Sequence, residues 1–229
     1  TASTAANKAG LSNGDFLNAN PLGDGFAWAL SGTTAVEDGV LHLREGRTLF
    51  SRASQEAWVP DGAQSLRVTL HATSLGSTDG FPPDAFEVAL LDADTLSPIL
   101  GTVGITGSDA LFNLQADGRL STSSRVLLNG LPPGAVLPDG AVTVDIDLTG
   151  IATDKPIRLY FDLLGFGAAD SEVIIDDVHF VMAANTAPVA RNDLISLDED
   201  SVILFDVRAN DTDAESDPLT VELLSSPTQ

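Results

Sequence analysis

Apolar and polar residues alternate with a period of two through almost the whole of this chain. A strand that buries one face and wets the other produces that pattern, because successive side chains point to opposite sides of a sheet. Leu66, Val68 and Leu70 alternate with Arg67, Thr69 and His71. Val142, Val144, Ile146 and Leu148 share one face, and Asp145 with Asp147 share the other. The run 156–163 is expected to be the hairpin partner of this strand, and further strands are expected over 26–31, 40–44, 48–52, 85–91, 110–115, 125–128 and 172–182. Six Asp-Gly pairs, at Asp24, Asp38, Asp61, Asp79, Asp117 and Asp139, supply the positive φ that tight turns require. Helical periodicity is nearly absent. The expected fold class is all-β, a sandwich of two sheets with jelly-roll connections.

Charge narrows the partners. With 33 Asp and Glu against 11 Lys and Arg the net charge is −22, so nucleic-acid phosphates are repelled and no nucleic-acid partner is expected. No apolar run approaches the ~18 residues of a membrane span, so no membrane insertion is expected. The absence of cysteine removes disulfides, thiolate metal sites and a cysteine nucleophile. The opening Thr1-Ala-Ser-Thr-Ala-Ala-Asn-Lys-Ala-Gly10 has neither an initiator Met nor the order of a signal peptide, and the chain is expected to be a piece of a longer protein.

Composition changes near residue 184. Residues 1–184 hold 23 acidic and 9 basic side chains, and 185–229 hold 10 and 2. The polar, Pro-containing Asn185-Thr-Ala-Pro-Val-Ala190 suits a linker running into a strand. The expected division is an N-terminal linker at 1–10, a sandwich at 11–184 and the start of a second module at 185–229. A 45-residue segment is short for an ordinary core, so the second module is expected to be truncated.

The stretch Asn185-Thr-Ala-Pro-Val-Ala-Arg-Asn-Asp193, then Asp198-Glu-Asp200 and Ala209-Asn-Asp-Thr-Asp213, with Asp217 beyond, resembles the opening half of bacterial cadherin-like tandem repeats. The resemblance implies a Greek-key module in a long secreted or cell-surface protein, often an adhesin, with neighbouring tandem modules as partners. It also implies calcium, with Asp193, Glu199, Asp200, Asn210, Asp211, Asp213 and Asp217 as candidate ligands. The residues themselves agree in part, since Asn210-Asp-Thr-Asp213 puts three oxygen-bearing side chains within four positions, and oxygen ligands suit Ca²⁺. A solvated acidic turn is the alternative.

The larger part is similar to jelly-roll carbohydrate-binding modules. Leu11-Ser-Asn-Gly-Asp-Phe16 resembles their opening, Trp28 followed by Gly32 their next element, and Val173-Ile-Ile-Asp-Asp-Val178 their closing strand. The resemblance implies adjacent first and last strands and a structural calcium joining them, with Asp15, Asp176 and Asp177 as candidate ligands. It also implies a polysaccharide or cell-surface glycan as partner and an extracellular or bacterial cell-surface location.

Catalytic chemistry finds little support. His42, His71 and His179 sit singly on separate predicted strands, expected to face outward and solvated. No His-Glu-x-x-His, Gly-x-Ser-x-Gly or P-loop is present. Asp145 and Asp147 share a face as a glycosidase pair would, but Arg158 and Tyr160 on the expected partner strand account for them as cross-strand charge pairs. A non-enzyme is expected. Sugar binding needs aromatic platforms, and only 2 Trp and 1 Tyr are available. Trp28 alternates with Phe26 and Leu30 and belongs to the core; Trp58 and Tyr160 are the candidate ligand-binding residues. Asp79, Asp84, Asp92 and Asp94 flank one strand as a possible loop site, with solvated turns as the alternative. The expected function is a non-catalytic, calcium-stabilised adhesion or carbohydrate-binding module, against a purely structural spacer or a domain of a polysaccharide-degrading enzyme.

Overall fold

Twelve strands and no helix are found among the residues described by this computed structural model, which are 10–77, 79, 81–128, 141–153, 155–166, 171–198, 200–213 and 217–225. Two six-stranded sheets result, and every pairing is antiparallel. Sheet one runs β1 (Ala29–Ser31), β4 (Phe50–Trp58), β11 (Pro156–Leu164), β6 (Ala85–Asp92), β7 (Phe112–Gln115), β8 (Leu120–Thr122). Sheet two runs β2 (Thr33–Glu37), β3 (Val40–Arg44), β12 (Glu172–Met182), β5 (Ala63–Ser74), β10 (Val142–Asp147), β9 (Val126–Leu128). Among the described residues four pairings join neighbours in sequence, β2–β3, β6–β7, β7–β8 and β9–β10, and the other six join strands distant in sequence, which makes a jelly-roll-type β-sandwich.

The period-two pattern is realised in three dimensions. On β11 Ile157, Leu159, Phe161 and Leu163 are buried, and on β10 Val142, Val144 and Ile146 are buried. Both sets face the space between the sheets, and all but Val142 belong to one core. An aromatic chain threads that core: Phe16 stands 5.4 Å from Trp28, Trp28 5.7 Å from Phe161, Phe161 6.4 Å from Phe86, and Phe86 6.1 Å from Phe112. Each ring removed from water contributes about 1.5–3 kcal/mol before entropy is counted.

Two expectations are corrected. The strands β10 and β11 are not a hairpin but lie in opposite sheets, joined by a connection over 148–155 that is longer than hairpin loops allow. Asp145 and Asp147 therefore cannot meet Arg158 and Tyr160. They pair instead with Arg67 on β5 and with Arg125, at 2.7 and 3.0 Å. Charge pairing across strands holds; the partners differ because alternation fixes a residue's face but not its sheet. Of the histidines, His71 is exposed as expected, whereas His42 and His179 are half-buried and paired. His42 lies 2.9 Å from Glu172, which Arg44 also contacts at 2.7 Å, and His179 lies 3.0 Å from Asp177.

The Asp-Gly signal divides. Asp38 and Gly39 both have positive φ, 52° and 80°, in the two-residue turn between β2 and β3, as a type I′ hairpin requires. Asp117-Gly118 turns β7 into β8. The pair at Asp61 connects β4 and β5, which belong to different sheets. Gly80 and the Asp139 pair lie outside the described residues.

The opening segment precedes any strand yet is tightly fixed. Asn13 Nδ2 donates to the carbonyls of Asn18 and Phe26, its Oδ1 accepts from Asn18 N, and its carbonyl accepts from Trp28 Nε1. The buried Gln55 exchanges two hydrogen bonds with the Ser12 backbone, at 2.7 and 2.9 Å. Val178 N donates to Gly14 O at 2.8 Å, which joins the opening segment to β12.

The chain divides into two compact units, Thr1–Met182 and Ala183–Gln229. Within the second, Val189 and Thr212 form a two-way backbone bridge at 2.7 and 3.1 Å. Leu194, Val202 and Leu204 are almost fully exposed there, so little of its apolar surface is buried among the described residues.

Candidate functional site

The outward residues of sheet one line up through the strand register. Ser31, Arg52, Asp162, Glu87, Asn113 and Ser121 stand opposite one another in turn, a polar row crossing all six strands. At strand spacings of about 4.8 Å the row is about 24 Å long. Ser54, Tyr160 and Ala89 form the row above it, then Glu56, Arg158 and Leu91, then Trp58 and Pro156.

Arg52 and Asp162 form a bidentate pair, Nε to Oδ1 at 2.5 Å and Nη2 to Oδ2 at 2.7 Å. The hydrogen bonds Arg52 donates to Asp162 push its pKa upward and outweigh burial, so the guanidinium is a fixed cation. It also packs over two rings, 4.9 Å from the Tyr160 centroid and 5.7 Å from Phe50. Arg158 is held by Glu56 at 2.8 Å. Beside this pair opens a depression of about 160 Å³ lined by Arg52, Ala89, Leu91, Leu96, Asp109, Tyr160 and Asp162. Its lining combines three apolar residues with one cation, two carboxylates and a phenol. That is smaller than the ~300 Å³ at which drug-sized pockets begin, and suits one small polyhydroxylated group.

Tyr160 thus sits at the depression by the parity expected of it. Trp58 is half-buried on the same face, two rows away beyond the Glu56–Arg158 pair, beside a separate hollow of about 210 Å³ with Pro60, Asp61 and Thr153. The two candidate aromatics share a sheet face but not a pocket. Arg52, Asp162, Asp109 and Leu96 were not expected. Alternation alone places Arg52 and Asp162 on outer faces, but only the pairing of β4 with β11, 110 residues apart, brings them together.

The proposed metal ligands are dispersed. Asp15 is exposed and accepts from Leu17 N at 3.4 Å. Asp176 is half-buried opposite Thr69, and Asp177 occupies a β-bulge at φ 46°. In the second unit Asp211 Oδ1 accepts from Arg191 N at 2.8 Å, Asn210 Nδ2 donates to Asn192 O at 3.2 Å, and Asp213 Oδ1 accepts from Asp217 N at 3.0 Å. Asp193 and Asp200 are exposed, and Glu199 lies outside the described residues. Among the described residues no three His, Cys, Asp or Glu side chains group as a metal site.

Two other acidic expectations resolve into structural roles. Asp92 binds its own turn, accepting from Thr95 N, Thr95 Oγ1 and Asp94 N, and these bonds lower its pKa, the Thr95 amide most. Asp84 is buried. Asp147 is held below the usual carboxylate range by Thr149 first and Arg125 second, the reverse of what a proton-donating glycosidase acid needs.

Glu172 makes a pH prediction. Its pKa is depressed below the ordinary 4.5, chiefly by the hydrogen bond from His42 and then by Arg44. A depressed folded pKa contributes stability fully present above the unfolded value and lost as pH falls through the folded one. Glu172→Gln is expected to lower the melting temperature at pH 7, with the gap to wild type closing as pH falls below the ordinary carboxylate value of 4.5 and through the depressed folded one. A gap that stays constant on acidification refutes the assignment.

The geometry defines a jelly-roll sandwich with a polar depression on one outer face. Residues 185–229 match the family described as bacterial Ig domain. Over 170 residues, 71% of this chain, the sequence is 25% identical to the integrin beta-like protein E of Dictyostelium discoideum, of which it spans 8%. Similar solved structures include a CBM4 module (TM-score 0.34, 12% identity, 68% of this chain and 78% of that one). A CBM28 carbohydrate-binding module specific for non-crystalline cellulose is another (0.34, 14%, 69% and 89%). A third is TmCBM61 in complex with β-1,4-galactotriose (0.32, 15%, 78% and 97%). Among the described residues no helix is long and apolar enough to cross a membrane.

Proposed function

We propose that the sandwich is a non-catalytic module that binds a saccharide unit of a polysaccharide or cell-surface glycan at the Tyr160 depression, as the adhesive part of a large secreted or surface-attached protein. The observation that carries this reading is the small depression itself, with buried apolar Ala89 and Leu91, half-exposed Leu96, and polar Arg52, Asp109 and Asp162 around it. A pyranose presents that combination in reverse, C–H faces flanked by hydroxyls that both donate and accept. Arg52 covers Tyr160, so recognition here rests on hydrogen bonds to the fixed Arg52–Asp162 pair more than on stacking. The relative's name, integrin beta-like, supports the adhesion side of the proposal.

Calcium enters this proposal in the second unit, where Asn210, Asp211, Asp213 and Asp217 lie within eight residues of sequence. The dispersed donors of the first unit give it no support there. A glycan array probed with wild type and Tyr160→Ala, each with calcium and with EDTA, tests both parts. Wild type is expected to retain a neutral oligosaccharide and Tyr160→Ala to lose about tenfold or more in affinity. A wild type that binds no glycan leaves the module a spacer. Thermal unfolding unchanged by EDTA removes calcium.

A further inference from the structure

Asn113 Oδ1 is a buried acceptor with no hydrogen-bond partner, on a side chain only 4% exposed. Such orphans are rare and each calls for a cause. Asn113 stands on the outer face of sheet one, and its Nδ2 donates to Glu87 Oε1 at 2.8 Å. Ser108 Oγ donates to the same Glu87 oxygen at 2.9 Å. Ser108 comes from a turn over 103–110, closed by Val103 N to Ala110 O at 2.8 Å and Ser108 N to Ile105 O at 3.1 Å. Because Ser108 and Asn113 share one carboxylate oxygen, the turn must fold across the outer face onto the polar row. Its next residue, Asp109, walls the depression. Gly104 and Gly107 in the turn have φ of 77° and 82° and open space around them.

We propose that the 103–110 turn is a latch over a second saccharide subsite, made by Glu87 and Asn113 in line with Arg52 and Asp162. This rests on the proposed reading of the Tyr160 depression and extends it. With the latch closed, Ser108 occupies the Glu87 acceptor and Asn113 Oδ1 is idle. When the latch lifts, Glu87 and Asn113 Oδ1 are both available to hydroxyl donors of the next sugar along the row. The register sets Asp162 directly beside Glu87, so a chain of two or more units running across the strands meets both subsites. The ligand class is a neutral oligosaccharide, since the row holds two carboxylates, Asp162 and Glu87, against the one guanidinium of Arg52.

Two measurements on the full chain test this separately. Hydrogen–deuterium exchange without ligand compares peptides covering 103–110 with those of β5 and β12, in wild type and Ser108→Ala. The latch predicts exchange at least about tenfold faster in 103–110 than in those strands, and a further rise of about fivefold in Ser108→Ala with β5 and β12 unchanged. Protection equal to β5 and β12, or indifference to Ser108→Ala, overturns it. Titration with glucose, cellobiose, cellotetraose and the maltose series then compares wild type with Asn113→Ala. The subsite predicts about a tenfold loss on the tetrasaccharide and none on glucose. Wild-type affinity of Asn113→Ala for the tetrasaccharide overturns the subsite alone. Silence of wild type toward every saccharide, here and on the array, overturns the ligand class together with the reading it rests on, while the exchange result still decides the latch.

Discussion

Gly14→Ala is expected to lose about 3 kcal/mol or more, the upper end of overpacking costs. A Cβ at residue 14 would stand 1.9 Å from the carbonyl oxygen of Val178. That obstacle is backbone, in the bulge where Asp177 has φ 46°, so no side-chain rotation relieves it. Moving residue 14 away stretches the 2.8 Å hydrogen bond from Val178 N to Gly14 O. It also drags Phe16, fully buried and packed at a tilt against Trp28, out of the core. For a domain of this size the melting temperature falls by roughly 6–12 °C, at about 2–4 °C per kcal/mol. Asp15→Asn, one residue on and exposed, is the control and is expected to change it by less than about 0.5 kcal/mol. If the two variants melt together, the motif does not act through this close approach.

Asp84→Ala is expected to cost a comparable 3–5 kcal/mol, the range for stranding buried partners of a charged group. Asp84 is 3% exposed. Its Oδ1 accepts from Phe166 N at 2.7 Å and its Oδ2 from Ser171 Oγ at 2.5 Å. Ser171 Oγ in turn accepts from Gly76 N at 2.7 Å, and Ser171 O accepts from Glu45 N at 2.8 Å. One carboxylate thereby gathers the loops after β3, β5 and β11 at one end of the sandwich. Alanine leaves an amide and a hydroxyl buried without an acceptor. Ser171→Ala removes two bonds, the one donated to Asp84 and the one accepted from Gly76 N, and is expected to cost about 2–3 kcal/mol. Urea unfolding of both single variants and the double variant measures the coupling. A double variant equal to the sum of the singles shows that the two do not act as a unit.

What was legible in the sequence follows from what alternation encodes. Val40–Arg44 and Glu172–Met182 match the expected strands at both ends, because each is a clean run between turn residues. Thr33–Glu37 and Leu120–Thr122 were missed, being short edge strands with few inward residues. Tyr160 was placed on an outer face by parity alone. The depression around it was not legible, since its walls come from β4, β6, β11 and a turn whose mutual register depends on long-range pairing. The Asn-Gly-Asp-Phe opening was legible as a motif, and the resemblance implied a metal ligand at Asp15. The packing role of its neighbours was not legible, Gly14 acting by lacking a side chain and Phe16 by burying one.

The order of strands also sets the order of assembly. The strand β11 lies between β4 and β6, and β12 lies between β3 and β5. The last two strands of the sandwich to be synthesised are thus interior members of the two sheets. Until residues 156–182 have emerged from the ribosome, each sheet exists only as separate ribbons with unpaired edges facing a vacant lane. Contacts so distant in sequence place the fold among slow, high-contact-order topologies. Open ribbons awaiting a central strand are the species most exposed to mispairing with another copy. Folding of this module is therefore governed late, by the arrival of its final two strands.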